Sequence, residues 1–275
     1  MKPGIYYDLP YDAYAAIDAV RWSELRLLGE SALKYQHGRK HEREDTTALR
    51  LGRLTHTAVL EPERIETDYA VYFGAVFRGK EYDAFVDEHP GKTIVHVVEM
   101  AEALAMARSL RNYPPARKVL CSGHAEVTIV WRDTATGILC KGRVDWLRPR
   151  ALVASDVKTT QTIDARRFGI QAHDLLYEAQ LAFYQGGLFE LGMDCQFKVL
   201  AVEKKPPFEP AVFALGGDQL YAGEVVVSLL MAELAKCQTT RRWGPRYACE
   251  QPLDLPSWAY PNEDEDTEST WRTVE

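Results

Sequence analysis

Between Glu126 and Lys158 the chain takes up a two-residue hydrophobic alternation, and this stretch limits the possible folds more than any other. Val127, Ile129 and Trp131 alternate with their neighbours from Glu126 to Trp131, the pattern of a half-buried strand. Asp133 to Gly137 (DTATG) supplies a turn, and Ile138 to Leu147 reads as a second strand. Pro149-Arg150 sits at the next turn, before a third strand from Leu152 to Lys158. Three strands joined by short turns predict an antiparallel meander.

A meander fixes which side chains meet. With a two-residue tip at Arg150-Ala151, residues whose numbers sum to 301 stand opposite one another, so Asp145 faces Asp156 with Cβ atoms about 5 Å apart. Lys158, two residues beyond Asp156, projects from the same face. Val144 and Trp146 then lie beside Ser155 and Val157 in an apolar layer. Val127, Ile129 and Trp131 extend that layer over Val144, Gly142 and Cys140. The other face is expected to collect Glu126, Lys141, Arg143, Asp145, Asp156 and Lys158.

Two carboxylates held this close repel, and the repulsion raises the pKa of one of them. A hard divalent cation removes the cost, and carboxylate oxygens suit Mg²⁺ or Mn²⁺. Such an ion can activate water for attack on a phosphodiester, while a neighbouring lysine holds that water and offsets developing charge. For any single Asp or Lys the ordinary place is solvent, and the alternative is a surface hairpin with a charged outer face. The apolar run Ala151-Leu152-Val153-Ala154 leading straight into Asp156 and Lys158 argues against it.

Helical patterns flank the meander. Ser23 is a plausible N-cap for a helix carrying Leu25, Leu27 and Leu28, and a second helix covers Thr46 to Leu60, ending before Pro62. Val95 to Val98 suits a short strand. The alanine-rich Glu99 to Asn112 reads as a helix closed by Pro114-Pro115. One long helix is expected from about Asp164 to Leu191, stopped by Gly192. Strands at Gln196 to Glu203 and Ala211 to Leu215 come after it, then a helix from about Gly217 to Cys237. The order predicts an α/β fold, a mixed central sheet flanked by helices.

A length of 275 residues suits one large domain. We expect it to span residues 1–261, with a helical N-terminal part at about 1–118 and an α/β core at about 119–240. An acidic tail occupies 262–275 and carries a net charge of −5 out of the chain's −7. Such a run is usually solvated, although it can also bind a partner or mimic DNA. Basic runs at Lys34–Arg43, Arg108–Lys118 and Arg241–Arg246 are possible phosphate contacts. Five cysteines without a CxxC pair argue for reduced, mostly buried thiols rather than disulfides or a zinc knuckle. No apolar run reaches the ~20 residues that span a bilayer, and the N-terminus does not read as a signal peptide, so a cytoplasmic location is expected. His37 and His41 share a helix face but have no evident third ligand.

Three motifs then come together: Gly142-Arg143-Val144-Asp145-Trp146, Asp156-Val157-Lys158-Thr159-Thr160, and Tyr177-Glu178-Ala179-Gln180-Leu181-Ala182-Phe183-Tyr184. With Leu51-Gly52-Arg53-Leu54-Thr55-His56 upstream, this order resembles the PD-(D/E)XK nuclease superfamily, over roughly residues 20–240. It looks closest to the RecE-type exodeoxyribonuclease (exonuclease VIII) branch found in phages and prophages. One departure is Ser31-Ala32, where that branch has Ser-Pro ahead of Tyr35.

The resemblance implies a restriction-endonuclease-like core with Asp145 and Asp156 as metal ligands, His56 as a further ligand and Lys158 as the water-positioning group. Glu126 is a candidate for a second metal ion. Gln180 would orient Lys158 or a phosphate, and it shares a helix face with Tyr177 and Tyr184. Arg143, Tyr177 and Tyr184 are candidate DNA contacts; for Arg143 a plain salt bridge is the alternative, and for the tyrosines core packing. It further implies two Mg²⁺ ions, 5′-to-3′ digestion of linear duplex leaving 3′ overhangs, a ring-like trimer or tetramer, and an annealing partner in recombination. Rival readings are a repair or defence endonuclease of the same superfamily and an inactive DNA-binding adaptor.

Overall fold

The computed structural model describes residues 1–41 and 45–260. Arg43, in the first basic run, and the acidic tail at 262–275 lie outside the described residues. A short strand β1 (Gly4–Tyr6) opens the chain, followed by helices α1 (Tyr11–Ala15), α2 (Trp22–Leu28), α3 (Ala32–Lys40), α4 (Thr47–Leu60) and α5 (Ile65–Asp68). Strand β2 (Tyr69–Tyr72), helix α6 (Lys80–Glu88), strand β3 (Thr93–His96), and helices α7 (Val97–Asn112) and α8 (Pro114–Leu120) come next. The meander is β4 (His124–Arg132), β5 (Leu139–Arg148) and β6 (Val153–Thr160). Helices α9 (Ala165–Asp174) and α10 (Tyr177–Glu190), strands β7 (Gln196–Glu203) and β8 (Pro210–Ala214), and helix α11 (Gly217–Thr240) complete the order.

Six strands form one mixed sheet in the order β1-β4-β5-β6-β7-β8, with only β6 and β7 parallel. On one side lie α2, α10 and α11, whose Leu25, Leu181, Leu188 and Leu234 pack on Val127, Ile129, Val144, Phe197 and Val199. On the other, α4, α7 and α8 bring Val59, Met106, Leu110 and Ala116 against Val157, Leu200 and Val202. Each such large side chain, fully buried, contributes roughly 1.5–3 kcal/mol. Among the described residues, no helix is long and apolar enough to cross a membrane.

Several expectations need correction. The N-terminal part is not wholly helical: β1 joins the main sheet against β4, and β2 and β3 pair in a small parallel sheet of their own. Val97 and Val98 belong to α7, not to a strand. His96 accepts the Val98 amide hydrogen, while the Glu99 carboxylate accepts that of His96, so a cap starts the helix earlier than its alanines suggest. Pro114 and Pro115 also open α8, where a missing N–H costs nothing. Helix α2 begins at Trp22, so Ser23 lies inside it and does not cap it. The long helix is two, broken at Leu176, which adopts a left-handed φ of 56° without a glycine or proline to announce it.

The meander register is the expected one, although its tip is longer. Pairs Trp146–Ser155, Leu147–Ala154 and Arg148–Val153 sum to 301, and Pro149 to Leu152 form the connection with Leu152 left-handed. The single apolar face does not survive. Val127 and Val144 pack with α10, yet Ala125 and Trp146 pack with Val157 on the opposite side. The alternation reverses at Glu126, whose φ is 51°, and the ladder skips the Glu126–Asp145 step. Lys141 leaves the expected charged layer as well: it is buried, and its ammonium donates to the carbonyls of Tyr14, Ala15 and Ile17 at 2.8–3.1 Å. It anchors the N-terminal segment.

Candidate active site

Strands β5 and β6 pair over three positions only, and their separation past Trp146–Ser155 creates the site. There the Asp145 carboxylate accepts the Val157 amide hydrogen at 2.7 Å in place of a backbone carbonyl. The side chain therefore sits in the gap between the strands, open to groups from both faces of the sheet.

From one face comes α4. Thr46 caps it by accepting from Leu49, and its buried residues Leu54, Ala58 and Val59 hold it against the sheet and α7. His56 is thereby presented to Asp145, with Nδ1 3.3 Å from Oδ2. Glu126, turned by its left-handed backbone, completes the group: ligand atoms of His56, Glu126 and Asp145 all lie within 4.8 Å of one another. A left-handed glutamate costs of order 1–3 kcal/mol, a strain that functional sites often hold. Arg143 Nε binds Glu126 Oε2 at 2.6 Å and its Nη1 donates to the Leu9 carbonyl at 3.3 Å.

From the other face comes α10. Gln180 bridges two β6 side chains, accepting from Lys158 Nζ at 3.0 Å and donating to Asp156 Oδ1 at 3.3 Å. Lys158 Nζ stands 2.7 Å from Asp156 Oδ2, a buried ion pair. The Lys158 ammonium also lies 4.6 Å from the centre of the Tyr177 ring, a cation–π contact. The Tyr184 ring lies close to Gly142, where an added Cβ would come within 2.9 Å of it.

Charge accumulates in this gap. Burial, followed by Asp156 and Glu126, holds the Asp145 carboxyl well above the usual carboxylate range. Burial also lowers the His56 pKa, against the pull of Asp156 and Glu126, which favours the neutral imidazole that a metal needs. For Lys158 burial works against the charge, but Asp156 and Asp145 outweigh it and raise the pKa. One imidazole nitrogen and two carboxylate oxygens, one of them on a carboxyl destabilised as an anion, fit a divalent cation.

The sequence-predicted residues thus fall into two adjoining groups. His56, Glu126 and Asp145, with Arg143 behind them, form one; Asp156, Lys158, Gln180 and Tyr177 form the other. Other histidines lie elsewhere: His37 stacks on His41, and His124 meets the Tyr7 ring at a tilt of 51°. In the basic runs, Arg39 pairs with Asp18 and Arg111 donates to the Val59 carbonyl, so each is tied to structure. All five cysteines are free, with Cys140, Cys195 and Cys237 buried and Cys121 and Cys249 exposed.

The family model described as "PDDEXK-like domain of unknown function (DUF3799)" matches residues 22–252. The chain belongs to this family. The PDDEXK-like domain has the fold of the PD-(D/E)XK nuclease superfamily, a mixed sheet between helical layers. The crystal structure of a protein from Eubacterium rectale described as a "Putative exonuclease" superposes with a TM-score of 0.59 at 16% identity, covering 90% of this chain and 96% of that one. A second structure, of SSO0001, aligns over 82% of this chain and 88% of its own with a TM-score of 0.29 and 13% identity. No curated protein matches the sequence.

Proposed function

We propose that this PDDEXK-like domain is a metal-dependent exodeoxyribonuclease that hydrolyses phosphodiester bonds of linear double-stranded DNA. The observation that carries the reading is the convergence of His56, Glu126 and Asp145 within 4.8 Å, next to the Asp156–Lys158 pair. Support for an exonuclease comes from the description of the Eubacterium rectale protein and from the sequence resemblance to the RecE-type branch.

In this reading His56, Glu126, Asp145 and Asp156 hold Mg²⁺, with Mn²⁺ as a substitute and two ions per site. Held there, such an ion would supply Lewis acidity to a water and to the phosphate oxygens. Lys158 donates hydrogen bonds to the attacking water and offsets charge as it develops on the phosphate oxygens. Gln180, Asp156 and the Tyr177 ring fix that ammonium, so it need not reorganise during reaction. Tyr177 and Tyr184 are placed in the reading as flanking DNA contacts, and Arg143 as a positioning group for Glu126. Digestion runs 5′ to 3′ and leaves 3′ overhangs for an annealing protein, from a ring-like trimer or tetramer in the cytoplasm.

The test is digestion of linear duplex labelled at either the 5′ or the 3′ end, and of closed circular duplex, with Mg²⁺ and with chelator. The reading expects early release of the 5′ label, intact circles and no reaction in chelator. Rapid cutting of circles would make the protein an endonuclease, and unchanged activity in Asp156→Ala or Lys158→Ala would remove the site.

A further inference from the structure

The two parallel strands β6 and β7 end side by side, and beyond their C-terminal ends stand four cations far apart in sequence. Thr160, two residues past Lys158, accepts the Lys204 amide hydrogen at 2.8 Å, which joins the ends of the two strands. Lys204 and Lys205 come directly after β7. The chain leaving β6 turns at Thr162 and enters α9, whose first turn carries Arg166 and Arg167.

Contacts tie α9 to the site. Gln171 accepts from the Thr160 hydroxyl at 2.9 Å, and Arg167 lies one turn before Gln171 on the same helix face. Lys158 and Thr160 share one face of β6, so a line runs from Lys158 through Thr160 and Gln171 to Arg167. Arg166, Arg167 and Lys205 are exposed, and none of the four cations makes an ion pair among the described residues. Of the acids nearby, Asp164 accepts from the Arg167 amide at 3.0 Å and Glu203 from the Ile163 amide at 3.0 Å, while Glu209 lies exposed in the same β7–β8 connection as the two lysines. By contrast, Arg143, beside the site, is paired with Glu126, and Arg53, on α4, with Asp45.

We propose that Arg166, Arg167, Lys204 and Lys205 form a phosphate-binding edge that holds the sugar–phosphate backbone of the DNA strand running to Lys158. The inference rests on the nuclease reading and adds the surface by which substrate is held. Unpaired cations in line with a phosphodiester-cleaving centre raise the local concentration of a polyanion and fix its direction across the site. Two belong to the first turn of α9 and two to the segment after β7, brought together by the parallel pairing of β6 and β7.

Binding is measured with Ca²⁺ in place of Mg²⁺, by fluorescence anisotropy of a labelled duplex with a single-strand overhang, across a salt series. The paired variants Lys204→Gln/Lys205→Gln and Arg166→Gln/Arg167→Gln are compared with Arg242→Gln/Arg246→Gln, two exposed cations at the far basic run. Each edge pair is expected to weaken binding about tenfold or more at moderate salt and to reduce the salt slope by roughly one per residue removed. The Arg242/Arg246 pair is expected to leave both unchanged. Equal losses in all three variants, or none in the edge pairs, would overturn the phosphate edge while wild-type cleavage keeps the nuclease reading. A wild-type protein that neither binds nor cuts DNA would sink both.

Discussion

Asp145 accepts the Val157 amide hydrogen at 2.7 Å and lies 3.3 Å from His56 Nδ1 through the same oxygen. One carboxylate thus closes the gap between two strands and offers itself to the metal group. These tasks separate under mutation. Asp145→Asn keeps an oxygen for Val157 but removes the charge that Asp156 and Glu126 repel. We expect it to melt at or above the wild-type temperature in chelator, while cleavage falls by at least about a hundredfold. Calorimetry beside a cleavage assay checks this. A variant that loses stability but keeps activity would reverse the assignment.

The same repulsion sets a pH dependence. The folded Asp145 keeps its proton at a pH where the unfolded chain, with a carboxyl pKa near 3.9, has released it. The folded state then binds more protons, so this residue's contribution falls as pH rises above about 4, and keeps falling until the raised pKa is passed. His56 works in the opposite sense below about 6.5, because its lowered pKa leaves the unfolded chain binding more protons. Melting temperature against pH in chelator, wild type minus Asp145→Asn, isolates the first effect and is expected to become more negative with pH. Mg²⁺ should shrink that difference near neutrality. A flat difference curve would mean that Asp145 is not destabilised as an anion.

Gln180 hydrogen-bonds to both Lys158 and Asp156. Gln180→Leu keeps the helix and much of the volume while freeing both partners. A loss of about 10–100-fold in turnover is expected, with little change in KM or melting temperature, in line with the effect of such supporting groups on other metal sites. If KM rises while turnover holds, Gln180 contacts the substrate rather than Lys158.

Much of this site was legible in the sequence, for reasons that can be named. The alternation of Val127, Ile129 and Trp131, together with a short turn near Arg150, was enough to pair Trp146 with Ser155 and bring Asp145 near Asp156. Lys158 followed from the same strand face as Asp156, whereas His56 and Gln180 came from the resemblance, not from the pattern. What stayed hidden depends on backbone states that side chains do not announce. Glu126 and Leu176 take left-handed conformations without glycine, one moving the apolar layer across the sheet and the other breaking the long helix. The grouping of Arg166 and Arg167 with Lys204 and Lys205 needed the parallel pairing of β6 and β7, a contact that local periodicity cannot supply.

Helix α11 meets α10 at Gly223, and the approach reaches the site through the backbone. A Cβ there would come within 2.3 Å of the Glu178 carbonyl oxygen and 3.0 Å of the Ala179 nitrogen, so backbone rather than a flexible side chain must yield. Glu178 lies between Tyr177 and Gln180, in the turn that supports Lys158. Gly223→Ala is therefore expected to cost about 1–3 kcal/mol as the helices separate. It should also lower turnover at temperatures well below melting, because the Tyr177 ring and Gln180 shift with their turn. Gly187→Ala offers the comparison: its added Cβ would meet the Trp131 ring at 2.7 Å, two turns further along α10. It should destabilise by a similar amount while leaving turnover near wild type. Equal turnover in the two variants would show that the first turn of α10 does not hold Lys158 in place.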